Sequence, residues 1–382
     1  MLTLTRQARL IAFDAATGLL TCEAGVSLAD VVNLFAPRGW FPPVTPGTQY
    51  VTTGGMAACD VHGKNHHGAG SFGRHVAWLD LMLATGDVRR CSPVQEPELF
   101  HATLGGMGLT GVILRLAFSL IRIETQMMRQ DTVVCRNLEE TLQAFEARPD
   151  ATYSVAWTDC LTTGARQGRS LVYFGEHATR AELPPGAAEP AMRPAKRIPI
   201  DFPSFALNPL SVRVFNELYY RRGVAGRTYV GLQPYFYPLD SIREWNRIYG
   251  PGGFVQHQCV IPPEAGRAGL KALLDRIAAK GAGSFLLVLK GIGEGGGGPR
   301  SFPMSGWTLA LDFPATAANF SLLLELDAVV ADHGGRLYLA KDARQGTSML
   351  RGYPRLDRFR EVRAKVDPNA RFRSLQSERL GL

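Results

Sequence analysis

The sequence predicts an α+β protein of two domains. Short strand-like runs separated by glycine turns fill the first third of the chain, and later strand-like runs alternate with longer helical ones. The chain has 382 residues, 46% of them hydrophobic and 20% charged, which is the make-up of a folded protein with enough apolar residues for two cores. These figures exclude disorder, collagen and a coiled coil.

Leu10 to Phe13 and Leu19 to Glu23 predict two strands joined by an Ala-Ala-Thr-Gly turn. Ser27 is a helix cap before an apolar face of Leu28, Val31, Val32 and Phe35, and Pro37 and Gly39 stop that helix. Trp78 to Leu83 and Val88 to Arg90 predict a hairpin turning at Gly86 and Asp87. Val112 to Leu120 predicts a further strand. Beyond it, Asn137 to Arg148 is expected to be a helix, with strands at Tyr153 to Trp157 and Ser170 to Phe174. Pro184 to Pro203 is proline-rich and without periodicity, as a linker or surface excursion would be. Strands are expected at Val255 to Ile261, Ser284 to Leu289 and Leu309 to Phe313, and helices at 265–279 and 317–333. The glycine run from Gly291 to Gly298 predicts a mobile loop, and the stretch from Arg351 to Arg379 is strongly basic.

Lys plus Arg is 42 against 34 for Asp plus Glu, a net charge of +8 that favours an anionic ligand or membrane surface without implying nucleic acid. The six cysteines lack metal-ligand spacing and read as buried thiols. No apolar run approaches the ~20 residues of a membrane span. The first residues have no apolar segment with a small-residue cleavage site, so no signal peptide is expected.

The chemistry concentrates in one stretch, PGTQYVTTGGMAACDVHGKNHHGAGSFG. Its glycines let a backbone approach a ligand closely, as a phosphate or pyrophosphate requires, and His62, Lys64, Asn65, His66 and His67 add donors. Neither the dinucleotide-binding nor the Walker spacing is present. His62 and His66 have the spacing of a helical zinc pair, but Gly63 and its neighbours disfavour a helix, so no metal is expected.

Taken with ELFHATLGGMGLTGVILR, PLDSIREWNRIYGPGGFVQHQCVIP, SFPMSGWTLALDFP, GGRLYLAKDAR and KVDPNARF, this stretch resembles the vanillyl-alcohol-oxidase-type flavoproteins. Within them it is very similar to the decaprenylphosphoryl-β-D-ribose 2'-oxidase family. The resemblance implies an FAD-binding domain over 1–122, a substrate domain with a helix-covered antiparallel sheet over 123–335, and a segment 336–382 that returns to the FAD domain. It places Gly47, Thr52, Thr53, Gly54, Gly55, His62, Gly63, Lys64 and Asn65 around non-covalent FAD, with Ile113 at the adenine end and Tyr338 beside the flavin ring. Gln256, Gln258, Lys290 and Trp157 would line the substrate pocket. Lys341 would be catalytic, either stabilising charge on the reduced flavin or taking the substrate hydroxyl proton.

The resemblance further implies about seventy residues, with a glycine-rich pyrophosphate loop, before the present Met1, so that the FAD domain is N-terminally truncated. At three pocket positions this chain differs from the family: Ala310 stands for a cysteine, Thr308 for an asparagine and Phe236 for a tyrosine. The implied activity is oxidation of the 2'-hydroxyl of a polyprenylphosphoryl-β-D-ribose to a ketone, the first half of an epimerisation that feeds cell-wall arabinan. The implied partners are a polyprenyl-phosphate sugar, a short-chain reductase and a peripheral membrane contact, at a cytoplasmic or membrane-peripheral location. An aldonolactone or other sugar-alcohol oxidase is the alternative within the same chemistry, and a flavin-free remnant the alternative outside it.

Overall fold

The computed structural model describes residues 3–186, 195–203 and 205–382. The first sheet has five strands, β1 (Leu10–Asp14), β2 (Leu19–Glu23), β3 (Val76–Met82), β4 (Val88–Cys91) and β5 (Val112–Ser119), in the order β1-β2-β5-β3-β4. Every pairing in it is antiparallel. Helix α1 (Leu28–Phe35) starts at a complete capping box: the Asp30 N–H donates to the Ser27 hydroxyl, and the Asp30 carboxylate accepts from the Ser27 N–H. The turn after it closes at Gly39, whose φ of +79° suits glycine.

The second sheet has eight strands. They are β6 (Met127–Cys135), β7 (Tyr153–Thr158), β8 (Ser170–His177), β9 (Gly226–Gly231), β10 (Phe254–Ile261), β11 (Leu287–Ile292), β12 (Gly306–Pro314) and β13 (Arg336–Leu337). Their order is β9-β6-β8-β7-β11-β12-β10-β13, again antiparallel throughout. Helices Leu138–Glu146, Pro263–Lys280 and Ala317–Asp332 cover one face. Leu142, Leu270, Leu273, Ile277, Leu322 and Leu326 pack there on Leu289, Leu309 and Leu311 of the sheet.

The first unit has its own core, which includes Leu20, Met56, Phe72, Leu79 and Leu116. Leu339, Tyr353, Phe359 and Leu380 join that same core, so the chain after 336 packs on the first unit. All the cysteines are free, and all but Cys59 are buried.

Two expectations change. The strand foreseen from Ser284 begins at Leu287, because the Ser284 hydroxyl closes a turn with both the N–H and the C=O of Leu286. The strand then runs on through Gly291 and Ile292, which composition had assigned to a mobile loop. The rest of that glycine run is packed rather than free. A β-carbon on Gly298 would lie 2.0 Å from the Leu104 carbonyl oxygen, and one on Gly293 would lie 2.9 Å from that of His67. Within the proline-rich stretch, Lys196–Arg197 pairs in parallel with Ile242–Arg243, while Pro190 and Pro194 lie outside the described residues.

Candidate active site

Alternation along the second sheet sorts its side chains into two sets. On β10, Cys259 and Ile261 enter the helix-covered core, so Gln256, Gln258 and Val260 face the other way. Leu287 and Leu289 of β11 take the core side and leave Lys290 opposite. Leu309, Leu311 and Phe313 of β12 do the same and leave Thr308, Ala310 and Asp312 opposite. The register then aligns these positions across strands: Gln256 with Asp312, Gln258 with Ala310, Lys290 with Thr308, Ala310 with Val288, and Val288 with Trp157.

The first unit and the segment after β13 meet this face. The Gln258 amide donates to His62 Nε2 at 2.9 Å and to the Thr308 hydroxyl at 3.2 Å, and that hydroxyl donates to the Cys259 carbonyl at 2.8 Å. His62 therefore carries its proton on Nδ1, which is buried without a partner among the described residues. The His62 ring lies against Phe302 and Tyr338, which stack on each other at 4.6 Å. Tyr338 donates its hydroxyl to the Cys59 carbonyl at 3.2 Å, and its N–H to the Gln258 carbonyl at 2.9 Å. Gln256, Gln258 and Lys341 line one pocket with Arg344 and Gln345. The segment carrying Lys341 is held from outside: Arg344 pairs with buried Asp327, and Gln376 donates to the Leu339 carbonyl at 2.7 Å.

Three lysines gather here, and none is in an ion pair among the described residues. Burial brings Lys64 down to about 7 and Lys290 to about 8, each helped by a neighbouring lysine. Burial also lowers Lys341, opposed by the negative charge of Asp312 and by Cys59. The Lys64 ammonium donates to the Tyr235 carbonyl and sits 4.4 Å from the Tyr235 ring centre. Burial, then the Lys290 charge, holds His62 well below the usual histidine range. Unpaired cations in so dry a place fit an anionic ligand.

Asp312 is the residue that motif reading missed, although the alternation of T-L-A-L-D puts it on the Gln256 face. It accepts from the Gln256 amide at 2.7 Å, and its other oxygen is buried without a partner among the described residues. Burial pushes it up to about 6, against the pull of Gln256 and Lys341. Because its folded pKa exceeds the unfolded 3.8, the native state binds the extra proton between these values, and stability falls as pH rises through that window. Asp312→Asn removes the titration. Its stability relative to the parent is expected to be ~1–3 kcal/mol better near pH 8 than near pH 4. Urea unfolding at both values checks this, and a pH-independent difference would count against it.

The other expected positions are spread more widely. Gly47 is exposed with open space where a β-carbon would be. Thr52 caps the short helix Thr53–Ala58 by accepting from the Gly55 N–H. The Thr53 hydroxyl and the Gly54 N–H are turned to the carbonyl of Ala24, and a β-carbon on Gly54 would lie 2.7 Å from that of Ala24. Those two residues pack the helix on the sheet. Asn65 donates to the Pro43 carbonyl at 2.7 Å, and Gly63 fits between Thr45 and the Asn65 side chain. Ile113 is buried in β5. Trp157 donates to the Phe285 carbonyl at 3.0 Å and packs on Tyr219. Phe236 sits in an aromatic cluster with Phe41, Tyr153 and Tyr235, its ring centre 5.8 Å from the Lys64 ammonium.

These residues fit a flavin dinucleotide. The unpartnered Nδ1 atoms of His62 and His66, the unpartnered oxygen of Asn65 and the unpaired lysines give it buried polar atoms and charge. Residues 1–92 match the family described as an FAD binding domain. Over 98% of its length the chain is 39% identical to the decaprenylphosphoryl-β-D-ribose oxidase of Mycolicibacterium smegmatis, of which it covers 83%. It is 36% identical to an uncharacterized protein in the mprA 5' region of Streptomyces coelicolor, over 94% of this chain and all of that one. Against cytokinin dehydrogenase 4 of Arabidopsis thaliana it is 31% identical over 27% of this chain and 20% of that one.

Proposed function

The chain belongs to the decaprenylphosphoryl-β-D-ribose oxidase family, and on that premise we propose that it oxidises the 2'-hydroxyl of a polyprenylphosphoryl-β-D-ribose to the 2'-ketone. The observation that supports this reading is the sheet face away from the helices, where Gln256, Gln258 and Lys341 line one pocket and the buried, unpaired Lys290 lies close enough to feel the charge of Lys341, as Lys64 feels that of Lys290. Bound FAD supplies the two-electron acceptor. The chain's own groups do the rest. Lys341 holds or takes the proton of the reacting hydroxyl, helped by the lowering of its own pKa. Gln256 and Gln258 are neutral and rigidly bonded, which suits them to orienting sugar hydroxyls. Lys290 offers charge to the substrate, and Lys64 to the dinucleotide. Phe302 and Tyr338 exclude water from the side opposite the sheet.

The ketone product calls for a reductase that returns a hydroxyl of the opposite configuration. Among the described residues no helix is long and apolar enough to cross a membrane.

Flavin of the purified protein, absorbing near ~450 nm, is expected to bleach anaerobically with a short-chain prenylphosphoryl ribose and not with a free sugar lactone. Bleaching by the lactone alone would favour the aldonolactone reading. Acid precipitation is expected to leave all flavin in the supernatant, and colour kept in the pellet would refute non-covalent binding.

A further inference from the structure

The helix Pro209–Arg222 is built the wrong way round for a soluble protein. Its buried side is small: Val212 enters the second core, and Asn216 donates to Asp159 at 2.9 Å. Its outward side carries Leu210, Val214 and Leu218, one turn apart and 71%, 51% and 55% exposed. Ile200, Phe205 and Val224, on the chain before and after the helix, are 69%, 77% and 78% exposed. Scattered apolar residues on a surface need no explanation, but a contiguous stripe along a helix does. The same segment is cationic, with Lys196, Arg197, Arg213, Arg221, Arg222 and Arg227 against Asp201 and Glu217 between residues 195 and 227. Among the described residues, the exposed Arg213 and Arg222 are in no ion pair.

We propose that this helix face docks on an anionic lipid bilayer, resting on the reading that the substrate is a polyprenyl phosphate. An apolar stripe flanked by arginines is the pattern of a helix lying in the membrane interface, with leucine and valine among the acyl chains and guanidinium groups at the phosphates. Charge argues against a second copy of the chain. A two-fold contact through this face would oppose Arg213 and Arg222 to their own equivalents. Position supports the lipid as well. Tyr219 of this helix packs on Trp157 at 4.6 Å, and Trp157 lies in the row that leads through Val288 and Ala310 to Gln258. A lipid-linked sugar rising from the bilayer at this helix would enter at the Trp157 end of the row that leads to Gln258.

The test is flotation with substrate-free vesicles of phosphatidylcholine, with and without roughly one-third phosphatidylglycerol. The full chain is expected to float with the anionic vesicles and much less with the neutral ones. Leu210→Ser/Val214→Ser/Leu218→Ser should weaken this at least ~10-fold, since the hydrophobic transfer of three such side chains is lost. Arg213→Glu/Arg222→Glu should abolish it and leaves the apolar stripe intact, so the test survives if the triple variant folds badly. Both variants should reduce flavin with a soluble short-chain substrate at the parental rate. Failure of the parent to float, or equal flotation of the charge-reversed variant, would overturn the proposal. So would a dimer by light scattering that the triple variant dissociates. Flotation without turnover of any prenylphosphoryl ribose would instead overturn the substrate reading and leave the docking face standing.

Discussion

Lys341→Met is expected to slow flavin reduction by substrate by ~10²-fold or more, the scale of a lost charge stabiliser or proton acceptor at a reacting oxygen. Methionine keeps the length and packing of the side chain and removes only the amine. In the parent, burial works to neutralise Lys341, while Asp312 and Cys59 work to keep it charged. Burial that lowers an amine in this way makes it a readier proton acceptor for a substrate hydroxyl than a solvated lysine would be. Gln256→Ala and Gln258→Ala should act more on KM, because neutral orienting groups bind ground state and transition state alike. Anaerobic stopped-flow reduction at equal flavin content separates these cases. A parental rate in Lys341→Met would remove Lys341 from the chemistry and leave the family membership untouched.

Gly298→Ala is expected to cost roughly 2–4 kcal/mol of stability, more than a glycine-rich loop would suggest. The added β-carbon would lie 2.0 Å from the Leu104 carbonyl oxygen and 2.9 Å from that of His101, and neither is a flexible side-chain end. The displaced loop would also strain two attachments, the Gly298 N–H on the Ser301 hydroxyl at 3.1 Å and Arg355 on the Gly298 carbonyl at 2.8 Å. Ser301 is in turn bonded to buried Asp60, just before His62. Flavin affinity should therefore fall together with the thermal midpoint. Gly297→Ala, one residue earlier, serves as the comparison: its nearest neighbour is the His101 ring at 3.2 Å, and it should cost far less. Equal midpoints for the two variants would show that the loop is as free as its composition suggests.

The sequence made the local structure legible wherever one signal dominated. Ser27 ahead of an apolar helical face and the strand-like run from Val255 to Ile261 each say one thing, and the elements formed there accordingly. The strand β6 was hidden because Met-Met-Arg-Gln-Asp opens it with polar residues on both faces. Helix Pro209–Arg222 was hidden for the opposite reason: its apolar period points outward, so it gives no sign of what the helix covers. Thr53–Ala58 carries two glycines and looks like loop, yet Thr52 caps it. Family likeness pointed to Gln256, Gln258, Lys290 and Lys341 as neighbours of one ligand. Local alternation gives the face of Asp312 but not its role, which arises only when β12 lies beside β10 and Lys341 returns from further along the chain.

The division of the second sheet also bears on how such a protein can change. Pocket and core are written on alternate letters of the same strands, with Gln256 and Gln258 interleaved with His257 and Cys259. Point substitutions at the pocket letters can alter the ligand while the core letters keep the fold, so the two can drift independently. A single-residue deletion inside β10 or β12 has no such freedom. It would turn the glutamines or Asp312 into the leucine core and the core residues into the pocket, and both properties would be lost in one step. Specificity in this scaffold is therefore open to spelling changes and closed to changes of length.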